Sequence, residues 1–490
     1  MAIFLKRDTK VYLEKTLNSV SVLWEIPVMD GFSFSQGNTT SEVTLNEMAG
    51  VGGYSKRGRR MFNDALAPAE WSFSTYIRPF KSTLAYNAGA TAGSGAGSGA
   101  TSNNHHAIEE ILWANFVGKA GWSQTNTGIA TFTGATPVTI TGGVIGTYEI
   151  DQGEYTTSGS GFGATFRINV TGATAATIAI VNPGSGYAVG DTITIPAATI
   201  GATTLVISAI ATLATETTAY DTELENFVRD TTDLNIYSTG ANTVELGTFN
   251  LYFVMGATNA ASMNYSASPT LEIYKLTGCV INEATINFEV DGIAMIDWSG
   301  TASLLDSSTT TFDARPAINE AISSTSNFIR NKLTALTVTA RNTTAYPGAG
   351  SGVYNVVLTG GSITFSNNIT FLTPEVLGIV NQPIGHITGN KTISGNFTAY
   401  VDSGTNGDSG DLFDDMTSTN ARSIITNSFN LTFRIGGTTG TPRLEVNLPT
   451  AHMEIPTIQS EDVISIDVAF HGLPSAITQS DEFNLTYVGA

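Results

Sequence analysis

The sequence predicts a mainly β protein in which one domain occurs twice, and three observations carry that expectation. Short apolar–polar alternations, such as SVSVLWEIPV and WSFSTYI, recur along the chain with the period of half-buried strands. Charged residues make up only 13 %, Gly numbers 50, and Thr, Ser, Asn and Ala fill the small and polar classes. That profile suits many short strands joined by tight turns. Finally, three blocks repeat in the same order. GFSFSQGNTTSEVTLNE from Gly31 returns as GSITFSNNITFLTPEV from Gly361, and EWSFSTYI, ending at Ile77, returns as SGNFTAYV, ending at Val401. The stretch from Pro269 to Gly300 returns from Pro442 to Gly472. There Leu271 aligns with Leu444, Thr285-Ile286 with Thr457-Ile458, and Trp298-Ser299-Gly300 with Phe470-His471-Gly472. A repeat this long is a whole domain, not a solenoid unit.

The elements follow in order. The first copy opens with the strands in SVSVLWEIPV and WSFSTYI, separated by a long connection. Ala88 to Asn104 is a low-complexity Gly/Ser/Ala loop. The next window, Ala107 to Gly118, reads as a helix, because Ile108, Ile111 and Leu112 recur at helical spacing. From about Ser123 to Tyr220 the chain turns to Gly, Ala, Thr, Ile and Val, with a strand, a turn around Pro183-Gly184, and a second strand. The second copy has no such block. There DLFDDM, Asp411 to Met416, stands in the place of the helix, and NSFNLTFRIGG follows it directly. The matching TFNLYFVMG of the first copy comes only after the extra block. The expected organisation is a discontinuous first domain (1–122 and 221–314), an inserted β module (123–220) and a second domain (315–490).

Composition and motifs exclude several functions. The net charge is −20, from 42 acidic and 22 basic residues, with a pI near 4.5. Phosphate binding rests on Lys and Arg, so nucleic-acid affinity is disfavoured. A surface that passes DNA without holding it remains compatible. Cys279 is the only cysteine, which leaves no internal disulfide and no Cys-based metal site. It reads as a small buried side chain. The start, MAIFLKRDTKVYLE, lacks the apolar core of a signal peptide. The uncharged window Thr192 to Thr215 is broken by Pro196, Gly201 and frequent Thr, which suits strands rather than a spanning helix. The expectation is a soluble chain.

Few constellations could carry chemistry. Lys56, Arg57, Arg59 and Arg60 form the densest basic run of an acidic chain. They read either as a solvated loop or as a contact to the acidic surface of another copy. Asp402, Asn406, Gly407 and Asp408 resemble part of a calcium loop, but Gly404 and Phe413 stand where ligands are required. The plainer reading is a turn, with Asp411 capping a short helix. His105 and His106 precede Glu109 and Glu110 at i,i+4 spacing, which reads as surface contacts, since nothing nearby completes a metal site. No nucleophile elbow, Walker A loop, zinc-protease or dinucleotide motif occurs, so no cofactor and no enzyme are expected.

The duplicated blocks also carry a family resemblance. SKRGRRMFNDALAPAEWSFSTYIRPFK, RNKLTALTV from Arg330, NNITFLTPEVLGIVNQPIGHITGNKTISGNFTAYV from Asn367 and the ending VAFHGLPSA resemble the major tail tube proteins of long-tailed siphophages of the T-odd kind. The resemblance covers residues 1–120 and 225–480. It implies two β-sandwich or barrel tube domains, each with a short helix, a fold shared with contractile-tail and type VI secretion tubes. It also implies a structural virion protein, assembled in the host cytoplasm as stacked rings of three chains with pseudo-sixfold symmetry. DNA would pass through the lumen without specific binding, and no membrane is involved. The implied partners are the chain itself and the tail tip or baseplate, tape measure and tail terminator proteins. Contact to the adjacent ring would fall on Lys56, Arg57, Arg59, Arg60, Phe62, Asn63 and Asp64. Family members can carry an immunoglobulin-like domain after the tube domains, whereas here the extra β module sits inside the first copy. The competing reading is an extracellular β-rich adhesin or glycan-binding tail protein, and a tail-associated glycan hydrolase ranks third.

Overall fold

The structure, a computed structural model, describes residues 4–17, 20–29, 31–43, 59–82, 104–118, 246–256, 271–308, 328–402, 407–423, 428–438, 442–460, 463–477 and 479–489. Between these it also describes 122–123, 127–133, 138–150, 154–185, 187–200, 202, 206–215, 223–224, 227–229 and 233–238. The first copy contains β1 (Lys10–Leu17), β2 (Val20–Ile26), β3 (Ser33–Ser35), β4 (Ala69–Tyr76), α1 (Glu110–Val117), β5 (Leu234–Tyr237), β6 (Phe249–Met255), β7 (Glu272–Glu289), β8 (Met295–Ala302) and β9 (Leu304–Ser307). The second contains β10 (Ala335–Ala340), β11 (Val353–Val356), β12 (Leu358–Ser366), β13 (Thr392–Tyr400), α2 (Ser409–Thr417), β14 (Phe429–Ile435), β15 (Arg443–Met453), β16 (Thr457–Ser460), β17 (Ile464–Leu473) and β18 (Asn484–Val488).

Strand pairing follows one antiparallel plan in both copies. In the first, the ladder runs β2–β1–β6–β7–β8–β4–β3. In the second it runs β11–β10–β14–β15–β17–β13–β12. Even an irregularity is repeated. The register slips between Phe249 and Leu251 on β6, and between Phe429 and Leu431 at the matching place on β14. Such a bulge bends its strand and helps the sheet fold over the core. Gly256 and Gly436, just past these two strands, both take left-handed backbone, with φ 80° and 100°.

The ladders also correct two sequence equivalences. Leu444 lies opposite Ile435 as Glu272 lies opposite Met255, so Leu444 matches Glu272 rather than Leu271. Asp297 on β8 lies opposite Ser74 on β4, and Asp467 on β17 lies opposite Thr398 on β13. Ile296-Asp297 therefore matches Ile466-Asp467, and Trp298 matches Val468 rather than Phe470. Residue likeness had favoured the aromatic, but strand partners define the position.

The 18-residue β7 serves two layers. Its first half pairs with β6 and β9, its second half with β8 and β12. The second copy splits the same run into β15 and β16. Burial alternates residue by residue along β8, which turns Ile296 and Trp298 into the core and their neighbours outward. One hydrophobic core joins both copies, from Trp24 and Trp71 through Trp113, Trp298 and Phe365 to Phe470 and Tyr487.

The inserted stretch has a core of its own, with Ile129, Phe166, Ile168, Val170, Ile193 and Ile210 buried. Its central hairpin pairs Phe162–Gly172 with Ala175–Ser185, so the chain reverses at Ala173-Thr174. Pro183-Gly184, expected at a turn, lies inside a strand instead. Pro183 sits opposite Ala164, next to a register slip at Thr165 and Phe166 that eases its missing N–H. Across to the second copy, Arg341 Nη1 lies 3.2 Å from Glu154 Oε2. Among the described residues no helix is long and apolar enough to cross a membrane. The uncharged Thr192–Thr215 window holds strands Thr192–Ile195 and Val206–Thr215.

Candidate functional site

The strands of the two copies join into one continuous sheet. The second half of β7 pairs with β12, Thr285 opposite Thr364 and Ile286 opposite Ile363. This gives the eight-stranded order β3–β4–β8–β7–β12–β13–β17–β16. One face of this sheet is buried in the core. The other is polar and open to solvent, because Ser, Thr and Asn occupy its alternate positions. Ser33, Ser72, Ser299, Thr285, Thr364, Ser394 and Thr457 all lie on it by register.

The charge of that face has one sign. It carries Glu70, Glu283, Glu289, Asp297 and Asp467, and no strand of the sheet places Lys or Arg on it. Neighbouring side chains hold two of these carboxylates in place. Asp297 accepts from Ser74 Oγ and, at 3.2 Å, from Asn287 Nδ2; Asp467 accepts from Asn396 Nδ2 at 3.4 Å. A polyanion near such a face meets fixed negative charge and hydroxyls, with no cation to hold it. The alternation in FSFS, WSFST and ITFS was legible in the sequence. Which face those residues share was not, because it depends on which strands become neighbours.

The sheet ends in two open edges. Among the described residues β3 pairs only with β4, and β16 only with β17. All four residues of β16 are exposed, and Ser33 and Ser35 are exposed on β3. Their counterparts inside the chain, the second half of β7 and β12, are paired with each other. The helices show the same contrast. All eight residues of α1 are buried, wedged against the second copy. Trp113 Nε1 donates to Tyr487 Oη at 2.7 Å, the Trp113 and Phe365 rings lie 5.3 Å apart, and Asn367 Nδ2 donates to the Phe116 carbonyl at 3.1 Å. In α2 only Ser409, Leu412 and Met416 are buried.

Two hairpins stand side by side where β3 leads to β4 and β12 leads to β13. Their strands are Asn38–Val43 with Arg60–Leu66, and Thr370–Leu372 with Gly385–Ile387. Leu66 N donates to the Asn381 carbonyl, and Asn381 N to that of Asp64, at 2.8 and 3.2 Å. Both expose apolar side chains: Met61 and Phe62 on the first, Leu377, Ile379 and Ile384 on the second. Of the basic run, Lys56 and Arg57 lie outside the described residues. Arg59 Nη1 reaches Glu42 Oε2 of its own hairpin at 3.5 Å. Asn63 Oδ1 accepts from Asn38 Nδ2, and Asp64 accepts from Ser41 Oγ, so both brace the hairpin.

Other sequence expectations need correction. His105 and His106 sit in the extended segment Asn104–Ala107, and α1 begins only at Glu110. With Glu109 and Glu110 they are buried rather than on the surface, and His106 Nδ1 lies 3.5 Å from Glu110 Oε2. β5 and β18 pack against this segment. Burial pushes the Glu109 carboxyl up to about 7, against the opposing pull of the Arg78 guanidinium. Burial likewise raises Glu154 to about 7, with a contribution from Asp481. The α2 cap is Asp408, which accepts from Asp411 N at 3.0 Å, rather than Asp411 itself. Asp411 instead accepts from Gly407 N, and Asp415 from Gly348 N and Tyr354 Oη, so this loop spends its carboxylates on its own chain. Among the described residues no acidic, His or Cys cluster could hold a metal ion. Cys279 is buried, and burial pushes its thiol up.

Two comparisons with known proteins bear on the role of this chain. The family model for phage tail tube proteins matches residues 249–472. The chain is 24 % identical to tail tube protein pb6 of Escherichia phage T5, over 98 % of this chain and 75 % of that protein. Both similarities support a structural tail tube role for this chain, as a component of the virion tail.

Proposed function

We propose that three chains close edge to edge into a ring, that rings stack into a hollow tube, and that the polar sheet face lines its lumen. The observation that carries this reading is the pair of open edges on a sheet whose matching inner strands are already paired. Exposed edges promote aggregation in a monomer, whereas a closed ring satisfies them. The second β layer lies behind the core, so it falls on the outside when the sheets close. Size supports three chains. With strands about 4.8 Å apart, three eight-stranded sheets give a backbone diameter of roughly 37 Å before strand tilt widens it. Two chains would give a porin-sized barrel, too tight for duplex DNA. Acidic lining then lets the genome slide without adhesion.

Contact between rings falls to the two hairpins. Their exposed apolar side chains supply attraction, and Arg59, Arg60 and the rest of the basic run supply register against an acidic neighbour. Stacking of this kind is heterologous and does not close, which gives a filament. The separate core around Phe166 supports an inserted module at 123–220, between the halves 1–122 and 221–314 of the first domain, with the second domain at 315–490. In this reading the module belongs on the outer wall. The tail tip, tape measure and terminator proteins are the partners at the ends and in the lumen, and no catalytic role is proposed. Mass measurement of isolated rings tests the stoichiometry. Three chains per ring is expected, and six whole chains per ring would overturn it.

A further inference from the structure

We infer that the seam between chains repeats the seam inside the chain residue for residue, setting Ile458 of one chain opposite Phe34 of the next, Thr457 opposite Ser35 and Gln459 opposite Ser33. The inference rests on the ring reading above and fixes the strand register that the ring would use.

The register follows from two equivalences already set by the ladders. Thr285 on β7 lies opposite Asp297, and Thr457 on β16 lies opposite Asp467, so β16 stands for the second half of β7. Ser33 on β3 lies opposite Ser72, and Ser362 on β12 lies opposite Asn396, its match on β13. The side chains agree, since Ser33 Oγ lies 2.8 Å from Ser72 Oγ, and Ser362 Oγ donates to Asn396 Oδ1 at 3.0 Å. So β3 stands for β12. Inside the chain β7 and β12 pair as Thr285–Thr364, Ile286–Ile363 and Asn287–Ser362. Carried across, the three pairs become Thr457–Ser35, Ile458–Phe34 and Gln459–Ser33.

Each pair keeps its chemistry. Thr285 and Thr364 touch through their hydroxyls at 3.2 Å, and Thr457 and Ser35 again offer two hydroxyls. Ile286 and Ile363 are both fully buried. Ile458 is 52 % exposed in the single chain, an apolar residue on an open edge, and Phe34 is the apolar side chain on the facing edge. Asn287 and Ser362 set an amide opposite a hydroxyl by register, as Gln459 and Ser33 would. A one-residue slip would put Ile458 on the polar face and lose all three matches.

The two seams differ in one respect that bears on assembly. The inner seam is sealed by Phe365 against Trp113 and Phe483. At the matching place β3 is followed by Gln36, whose side chain already bonds Ala67 O, Ser303 O and Leu305 N of its own chain. On the other strand Pro456, which has no N–H to donate, takes the place of Ala284. The seam between chains is thus more polar and one donor poorer than the seam within, which keeps single chains from pairing indiscriminately.

Paired cysteines on the polar face read the register directly. Gln459→Cys with Ser33→Cys places thiols on directly opposed residues of adjacent chains, whereas Gln459→Cys with Ser35→Cys sets them two residues out of register, beyond disulfide reach. The only natural thiol, Cys279, is buried. Tubes are verified by microscopy, oxidised and run on a denaturing gel. The first pair should give covalent trimers and nothing larger, and the second pair should remain mostly monomer. Thr457→Cys with Ser35→Cys is a further in-register pair and keeps the test open should the first variant not assemble. Cross-linking by the out-of-register pair alone, or by neither design in intact tubes, overturns the register while leaving the ring standing. A covalent ladder beyond trimer overturns the ring instead.

Discussion

Phe470 on β17 lies over Gly395 on the neighbouring strand β13, so closely that a Cβ at Gly395 would come 2.5 Å from its ring. The first copy makes the same contact with the roles exchanged. Trp71 on β4 lies over Gly300 on β8, where an added Cβ would also meet the ring at 2.5 Å. Trp71 occupies the place of Gly395, and Gly300 that of Phe470. Each copy therefore puts one aromatic ring and one bare backbone at this crossing, from opposite strands. Gly395→Ala should destabilise the chain by roughly 1–3 kcal/mol, because ring and backbone leave no room. Trp71→Gly with Gly300→Phe should cost less than the sum of the single changes. Denaturant unfolding of the four proteins measures the coupling, and strict additivity would show that the exchange has no packing meaning.

Stability should fall as pH rises from about 4.5 to about 7. Glu109 and Glu154 are both raised to about 7 in the folded chain, chiefly by burial. The native state thus binds more protons than the unfolded chain in this window, and the uptake favours folding at the acid end. For the fully buried Glu109 the effect is on the order of 3 kcal/mol. Glu109→Gln should remove most of that dependence and stabilise the chain at pH 8, with Glu154 keeping a smaller share. Unfolding curves at pH 5 and pH 8 decide it. An unchanged pH dependence in the variant would mean that Glu109 titrates normally.

Much of this architecture was legible in the sequence. The strands around Phe73 and Phe397 and the helix at Ile111 rest on local patterns. The remainder depends on neighbours. Whether Ser72 and Ser299 share a face is decided by register, and nothing local fixes it. The spacing of His105 to Glu110 is that of exposed pairs, while the cover comes from β5 and β18, far along the chain, with Tyr487 beside Glu109. Asp408 takes the cap because its backbone is extended there, at φ −91° and ψ −173°, a choice that Asp411 matches in sequence but not in geometry.

The hairpins allow a ranking of substitutions. Arg59 is largely exposed and pairs within its own hairpin, and such pairs contribute about 0–1 kcal/mol. Arg59→Glu with Arg60→Glu should leave the fold intact by circular dichroism and raise the concentration needed for tubes modestly. High salt should have a similar effect on the unaltered protein. Leu377→Asp with Ile379→Asp should raise that concentration much further, since both side chains are free in the single chain and apolar. Tube formation at the normal concentration by all four substitutions together would remove the hairpins from the ring contact.

Replacing residues 123–220 with a short Gly/Ser linker should leave tube formation intact. The stretch has its own core, and the second copy closes without a counterpart. The replacement removes the Arg341–Glu154 ion pair, so a small loss of stability is expected with it. Electron microscopy should show thinner tubes of normal length. Unfolded protein in place of tubes would make the stretch part of the main core.

A reconstruction of the tube in cross-section tests the central claim most directly. The account predicts threefold symmetry with six similar lobes, a continuous β wall, and Glu70, Asp297 and Asp467 facing the lumen. True sixfold symmetry of whole chains, or the polar face turned to the outside, would contradict it.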